Sequence, residues 1–122
     1  MALSTTDARS PLGSKIVYQS DATGTADDGI FGSSSSTLYA VSIDNLANSS
    51  SADVFVKLYD GAAATSNNPV LVLLCNGQTK KTYAFPEGIV FDNAMGMRCV
   101  TGAATSDNTS PSSDVKVYLV GG

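Results

Sequence analysis

The sequence predicts an all-β fold: an antiparallel β-sandwich of jelly-roll or Greek-key kind, about eight strands, with an extended N-terminal arm. Three observations predict it. From Lys15 onward, short runs rich in Val, Ile, Leu, Tyr and Phe alternate with clusters of Ser, Thr, Asn, Asp and Gly, the pattern of strands separated by turns. No stretch carries a helical apolar repeat, so the helical crossovers that parallel strands require are missing. At 122 residues the chain is the size of one domain, and eight short strands fill a two-layer sandwich, with a closed barrel as the alternative.

The first 14 residues, whose only large apolar members after Met1 are Leu3 and Leu12, lack the apolar surface to fold alone. They are expected to lie as an extended arm (residues 1–14) over a partner or an adjacent subunit, beside a sandwich domain (15–122). Strands are then expected near residues 15–20, 37–46, 52–60, 70–76, 78–85, 89–92, 95–101 and 114–120. Within 52–60, Val54, Val56 and Leu58 alternate with Phe55, Lys57 and Tyr59, which predicts one core face. Val115, Val117 and Leu119 alternate with Lys116, Tyr118 and Val120 in the same way. The run Val70-Leu-Val-Leu-Leu-Cys75 has no polar face at all. A sandwich buries only the inner face of each sheet, so the outer face of this strand calls for a cover: a loop, the arm, or another subunit.

The connections are short where the strands crowd. Asn76-Gly77 is the strongest hairpin signal, because both residues tolerate the positive φ of a type I′ turn. Pro86-Glu87-Gly88 reads as a second tight turn, and Asp92-Asn93-Ala94 makes a third, short connection. Longer loops at 21–32, 61–68 and 102–113 are made of small and polar residues.

Composition excludes several classes of function. Charged residues are 15% of the chain against 43% apolar, so the surface is made polar by Ser, Thr, Asn and Gly. The net charge is −4, and the seven basic residues, Arg9, Lys15, Lys57, Lys80, Lys81, Arg98 and Lys116, are scattered. No phosphate backbone would find a footprint there, and no nucleic-acid partner is expected. The N-terminus has no apolar signal core and no apolar run nears the ~20 residues that span a bilayer, so neither secretion nor a membrane partner is expected.

The chain has no histidine, which removes the commonest general base, the usual triads and most zinc sites. Cys75 and Cys99 lie in apolar runs and are expected to be buried free thiols, with a disulfide the alternative if their strands are neighbours. Asp44 and Asp53 stand at the adjoining ends of two strands and are the candidate carboxylate pair, against the commoner reading of turn-capping acids. Asp21, Asp27 and Asp28 share one loop, but without the ligand register and closing Glu of an EF-hand. Tyr18, Tyr39, Tyr59, Tyr83 and Tyr118 each fall within an expected strand, where a tyrosine packs on a cross-strand neighbour. No catalytic residue, metal or cofactor is expected.

Three segments, Ala52-Asp-Val-Phe-Val-Lys-Leu-Tyr-Asp60, Phe85-Pro-Glu-Gly-Ile-Val-Phe91 and Met97-Arg-Cys-Val-Thr-Gly-Ala103, carry a resemblance. The pattern, from Lys15 to the C-terminus, resembles small β-sandwich virion proteins of tailed bacteriophages, particularly capsid decoration (cement) proteins. The resemblance implies a protein without an active site. It implies a homo-oligomer, with a trimer favoured, that clamps the major capsid protein on the outside of the head, in a virion assembled in the host cytoplasm. Leu3, Arg9 and Leu12 on the arm, with Leu71 and Leu73 on the two-sided apolar strand, are the expected partner-binding residues. The alternative is a carbohydrate- or receptor-binding module of a tail or fibre, with the loops at 21–32 and 102–113 as its contact surface.

Overall fold

The computed structural model describes residues 3–10, 13–62 and 68–122. Eight strands follow one another: β1 (Leu3–Ser10), β2 (Gly13–Gln19), β3 (Ser36–Asp44), β4 (Val54–Asp60), β5 (Leu71–Cys75), β6 (Lys80–Phe91), β7 (Met95–Val100) and β8 (Lys116–Gly121). They form a five-stranded sheet in the order β1-β2-β8-β3-β6 and a three-stranded sheet in the order β5-β4-β7. Every pairing is antiparallel. No helix occurs among the described residues.

The pairing is nested. β2 pairs with β8, β3 with β6, and β4 with β5. Residues 21–30 run along the open edge of β7: Cys99 N donates to Thr23 O at 2.8 Å, Asp27 and Met97 exchange backbone bonds, and Ile30 N donates to Met95 O at 3.0 Å. This segment takes the second place in the order, opposite the second-to-last strand. First with last, second with second-to-last, and so inward to β4 and β5, is the order of one long hairpin rolled into two layers. Of the two expected topologies, the structure is therefore the jelly roll. β1 is an extra strand added outside β2.

The alternation of apolar residues builds the core as the sequence implies. Val17 of β2, Leu38, Val41 and Ile43 of β3, and Val117 and Leu119 of β8 face Val54, Val56 and Leu58 of β4 and Met95, Met97 and Cys99 of β7, all buried. Phe91 and Val115 close the two ends of this layer. β8 lies between β2 and β3, so its inward side chains are surrounded on all sides.

Four expectations on local structure need correction. Asn76-Gly77 is not a hairpin, because β5 and β6 belong to different sheets and residues 76–79 carry the chain from one to the other. The positive φ of this crossing, 58°, is at Gln78. Gly77 is required by space, since a Cβ there would sit 2.0 Å from Ser49 O. Pro86-Glu87-Gly88 is not a turn between two strands either. β6 runs through it, and the register slips opposite Leu38 and Ala40 of β3, so residues 85–88 bulge outward with Gly88 at φ 78°. The strands expected at 78–85 and 89–92 are thus one, and the arm supplies the strand the sequence pattern did not reveal. Finally, Lys57 and Tyr59, placed on the outer face of β4, are as buried as its core face.

Leu119 sits at the centre of the sheet with no solvent exposure. Leu119→Ala is expected to cost about 2–5 kcal/mol through the lost transfer energy and the cavity left behind. Urea unfolding of the variant against the parent measures it, and a loss below about 1 kcal/mol would contradict this packing.

Candidate functional site

The outer face of the three-stranded sheet can be read row by row from the register. Leu74 of β5, Phe55 of β4 and Val100 of β7 form one row, and Val72, Lys57 and Arg98 form the next. Tyr59 and Gly96 continue the pattern beyond it. Such a face is normally wet. Here the loop at 102–113 lies over β4 and β7, and a buried lysine holds it there.

Lys57 has no exposed surface, and its Nζ donates to Ala104 O and, at 2.9 Å, to Asp107 O. An ammonium without water needs such carbonyls, because an unpaired buried charge is far more costly than a neutral group. Burial pushes the Lys57 amine below its ordinary range, with nearby Asp107 opposing and Arg98 adding to the shift. The loop is stiffened from within: Asp107 N donates to Ala104 O at 2.9 Å, Asp107 Oδ1 accepts from Thr109 N at 2.9 Å, and Thr101 N donates to Thr109 O at 3.0 Å. Its far end is clamped by Asn48, which bonds both the N–H and the C=O of Ser113. Beneath it Val100 and Tyr59 are buried, and burial also raises the Tyr59 pKa, with adjacent Arg98 opposing the rise.

The cover stops short of β5. Val70, Val72 and Leu74 are 54%, 41% and 38% exposed, an apolar stripe on an edge strand. Among the described residues no strand pairs with the outer edge of β5, and Leu74 O accepts from Tyr83 Oη of the other sheet at 2.6 Å. The two-sided apolar run of the sequence is therefore covered on one side only. Leu73, 6% exposed, and Leu71 point into the core, so the surface that this strand offers consists of the alternate residues Val70, Val72 and Leu74. Periodicity divides the run into two sets, but a run apolar on both sides does not say which set faces in.

Of the other expected contact residues, Leu3 and Arg9 lie on β1. Leu3 is 42% exposed, beside β2. Arg9 falls within β1, its side chain outside the described residues, and Leu12 lies outside them altogether. The arm and the β5 stripe occupy opposite margins of the sandwich, since β1 ends the larger sheet on the side away from β6, while Tyr83 of β6 touches β5.

The remaining candidates have structural partners. Asp53 Oδ1 accepts from Gly77 N at 3.0 Å and Asn76 Nδ2 at 3.3 Å, and Asp44 Oδ1 accepts from Leu46 N at 3.0 Å with Lys80 3.9 Å from its other oxygen. Both acids cap turns. Asp27 Oδ2 accepts from the buried Gln19 Nε2 at 2.8 Å, and burial raises its pKa above the usual carboxylate value, that hydrogen bond opposing. Among the described residues no three His, Cys, Asp or Glu gather as a metal site. Cys75 and Cys99 are buried free thiols on either side of β4, and burial pushes Cys99 up to about 12. Tyr18 and Tyr118, directly paired, stack with ring centroids 4.4 Å apart.

The loops at 21–32 and 102–113 do meet. Gly24 N donates to Ser110 Oγ at 3.0 Å and Arg98 donates to Gly24 O. Between them lies an open cleft of about 490 Å³ lined by Thr25, Asp28, Arg98, Asn108 and Ser110, with no tyrosine in its wall. No family model matches the chain, and no curated protein does. Among solved structures, the chain is similar to the tobacco streak virus coat protein, with a TM-score of 0.39 and 15% identity over 98% of this chain and 83% of that one.

Two substitutions test this arrangement. Lys57→Met keeps the stem and removes the donor, and is expected to cost about 1–3 kcal/mol in urea unfolding and to open residues 102–113 to protease. A loop as resistant as in the parent would contradict the anchoring role. A raised Asp27 pKa means that the fold favours the protonated acid, so the stability it contributes is full below 3.8 and is lost as pH rises through the folded value. Asp27→Asn is therefore expected to gain on the parent between pH 4 and pH 7, read as the difference in urea midpoints. A constant difference would exclude Asp27 as the source.

Proposed function

We propose that the chain is a non-enzymatic structural virion protein, a capsid decoration (cement) protein that binds the outer head surface and stabilises it. Its partner is the major capsid protein, and it acts in the virion, assembled in the host cytoplasm, as a homo-oligomer with a trimer favoured. The observation that carries this reading is the stripe of Val72 and Leu74 on β5 with Val70 just before it. Burying a stripe of this kind gains roughly 25 cal/mol per Å² of apolar surface removed from water, and exposed contiguous apolar surface on a small domain marks an interaction site. The rest of that sheet face is sealed by loop 102–113, so the protein spends a buried lysine to close one part and leaves the other open.

One further point is neutral and one supports it. Jelly rolls recur in viral capsid and lectin domains, which fits both readings of the sequence and decides between neither. The buried polar residues Gln19, Asn45, Asn48 and Lys57 are engaged in holding loops and turns, not in lining a cavity. The cleft at Thr25, Asp28, Arg98, Asn108 and Ser110 favours the second reading, a carbohydrate- or receptor-binding module, since hydroxyl, amide and charged groups suit the hydroxyls of a sugar.

Co-sedimentation with capsid shells separates the two. The parent is expected to pellet with shells, and Val72→Asp with Leu74→Asp is expected to abolish attachment while leaving the unfolding midpoint within the range of a surface change, about 0.5 kcal/mol. Retained attachment in that variant would remove the β5 stripe from the interface. Binding on a glycan array, lost on Asn108→Ala and absent from shells, would establish the second reading instead.

A further inference from the structure

Asn76-Gly77 is the only Asn-Gly pair in the chain. Asparagine is a thermolabile residue, and before glycine it is at its most labile, because glycine has no side chain to obstruct attack from its own nitrogen. In that reaction the glycine N–H gives its proton to solvent base, and the nitrogen attacks Cγ of the asparagine. A C–N bond forms, the bond from Cγ to Nδ2 breaks, and Nδ2 leaves as ammonia. Water then opens the cyclic imide at one carbonyl or the other, leaving an aspartate or an isoaspartate, the latter with its main chain running through the side-chain carbon. Water is the only co-reactant. What the reaction does require is a peptide plane free to turn until the nitrogen faces Cγ.

Asn76 is exposed, so exclusion of water does not protect it. The peptide plane that follows it is held on both edges. On one edge Gly77 N donates to Asp53 Oδ1 at 3.0 Å, and Asn76 Nδ2 donates to the same oxygen at 3.3 Å. On the other edge Asn76 O accepts from Thr79 Oγ1 at 2.7 Å and from Asn45 Nδ2 at 3.2 Å. Turning the plane breaks the bonds on both edges. The carboxylate also acts on the chemistry itself, since a negative charge facing the Gly77 N–H disfavours the amide anion that must form before attack.

The fold cannot avoid this pair by enlarging residue 77. Gly77 is buried against the backbone of residues 49–52, where a Cβ would stand 2.0 Å from Ser49 O and 2.9 Å from Ala52 N. The glycine that space demands is the one that makes Asn76 labile, and safety is left to the hydrogen bonds around the plane.

We propose that Asn76-Gly77 is a latent deamidation site that Asp53 keeps closed: one carboxylate oxygen fixes both the Gly77 N–H and the Asn76 amide, and the pair converts only where the crossing at 76–79 opens or Asp53 is lost. Asp53 is then more than a turn cap. Conversion sets a second carboxylate against Asp53 and, as isoaspartate, adds a main-chain carbon to the crossing that ends β5, the strand that carries Val72 and Leu74. The inference does not depend on what the chain binds.

The test follows position 76 by peptide mass and by isoaspartate-specific methylation during prolonged incubation in mildly alkaline buffer. The full-length folded parent is expected to convert more slowly than the same chain held unfolded in urea, by about tenfold or more, because opening must come first. Asp53→Ala deletes the acceptor and is expected to convert about tenfold faster than the folded parent, the factor that goes with one charged hydrogen bond. Its rate is compared with the fraction unfolded, read from its own urea curve, and is expected to exceed what that fraction supplies. Should Asp53→Ala not fold, Asp53→Asn carries the test: it keeps the shape with a neutral acceptor and is expected to convert at a rate between those of the folded and unfolded parent. A folded parent as fast as the unfolded chain overturns the inference. So does a folded Asp53 variant no faster than the parent, or one whose conversion its unfolded fraction accounts for. The readout needs no capsid, so its failure leaves the proposed function to its own test.

Discussion

The fold depends on β8 entering the middle of a sheet that is incomplete without it. β8 pairs with β2 on one side and β3 on the other, through Val117 and Leu119 toward the core and Tyr118 and Val120 toward solvent. Without it the larger sheet falls into two pieces, β1-β2 and β3-β6, and the smaller sheet loses the centre of the layer it packs on. The two partners of this pairing are almost the whole chain apart. Closing so long a loop costs little more than closing one of half its length, since the entropy grows only as the logarithm of length. It is instead slow to find, because every pairing except β1-β2 and the innermost β4-β5 joins segments distant in sequence.

Rolling a hairpin into two layers forces the chain to cross between them repeatedly, and the buried polar residues sit at those crossings. Asn45 is the hub at one end: its Nδ2 reaches Ala52 O at 2.9 Å, Asn76 O at 3.2 Å and Cys75 O at 3.3 Å, while its backbone holds Gln78 and Thr79. Asn48 bonds Asn45 Oδ1 at 2.8 Å and carries the network to Ser113. Three crossings, at 45–53, 76–79 and 101–115, are thus tied by two amides whose donors and acceptors are satisfied, as burial demands. Lys57 does the same for the outer loop, and Gln19 for the segment along β7. These four side chains hold loops and turns in place, while the Oγ of buried Ser36 has no hydrogen-bond partner.

Among the described residues the two margins stay open, and so does the outer face of the larger sheet with its exposed Ile16, Val90 and Tyr118. The core face of each sheet is filled and the outer face of β4 and β7 is roofed over, which leaves an apolar edge strand open at one side and the exposed Leu3–Thr6 of β1 at the other. The two margins differ in kind. β5 offers apolar side chains, whereas β1 ends its sheet with a backbone edge that no described strand pairs.

Much of this was legible in the order of residues. The class, the strand count and the inward set of β4 and β8 follow from alternation, because a strand's side chains change sides at every residue and burial of one side leaves a period of two. The burial of both thiols and the packing of the tyrosines within strands were legible for the same reason. Local chemistry failed where a segment distant in sequence decides the geometry. Asn76-Gly77 looks like a hairpin, yet its glycine answers to Ser49 O across the crossing, and the Pro86 bulge looks like a turn because only β3 shows that the strand continues. Alternation also could not say which side of Val70–Cys75 faces inward, or that Lys57 is buried under loop 102–113. The sequence by itself determined which residues alternate and where the chain can bend. The tertiary structure decided which layer each strand joins, and therefore that Val70, Val72 and Leu74 stay exposed while Lys57 does not, because burial belongs to the pairing of distant segments and not to any one of them.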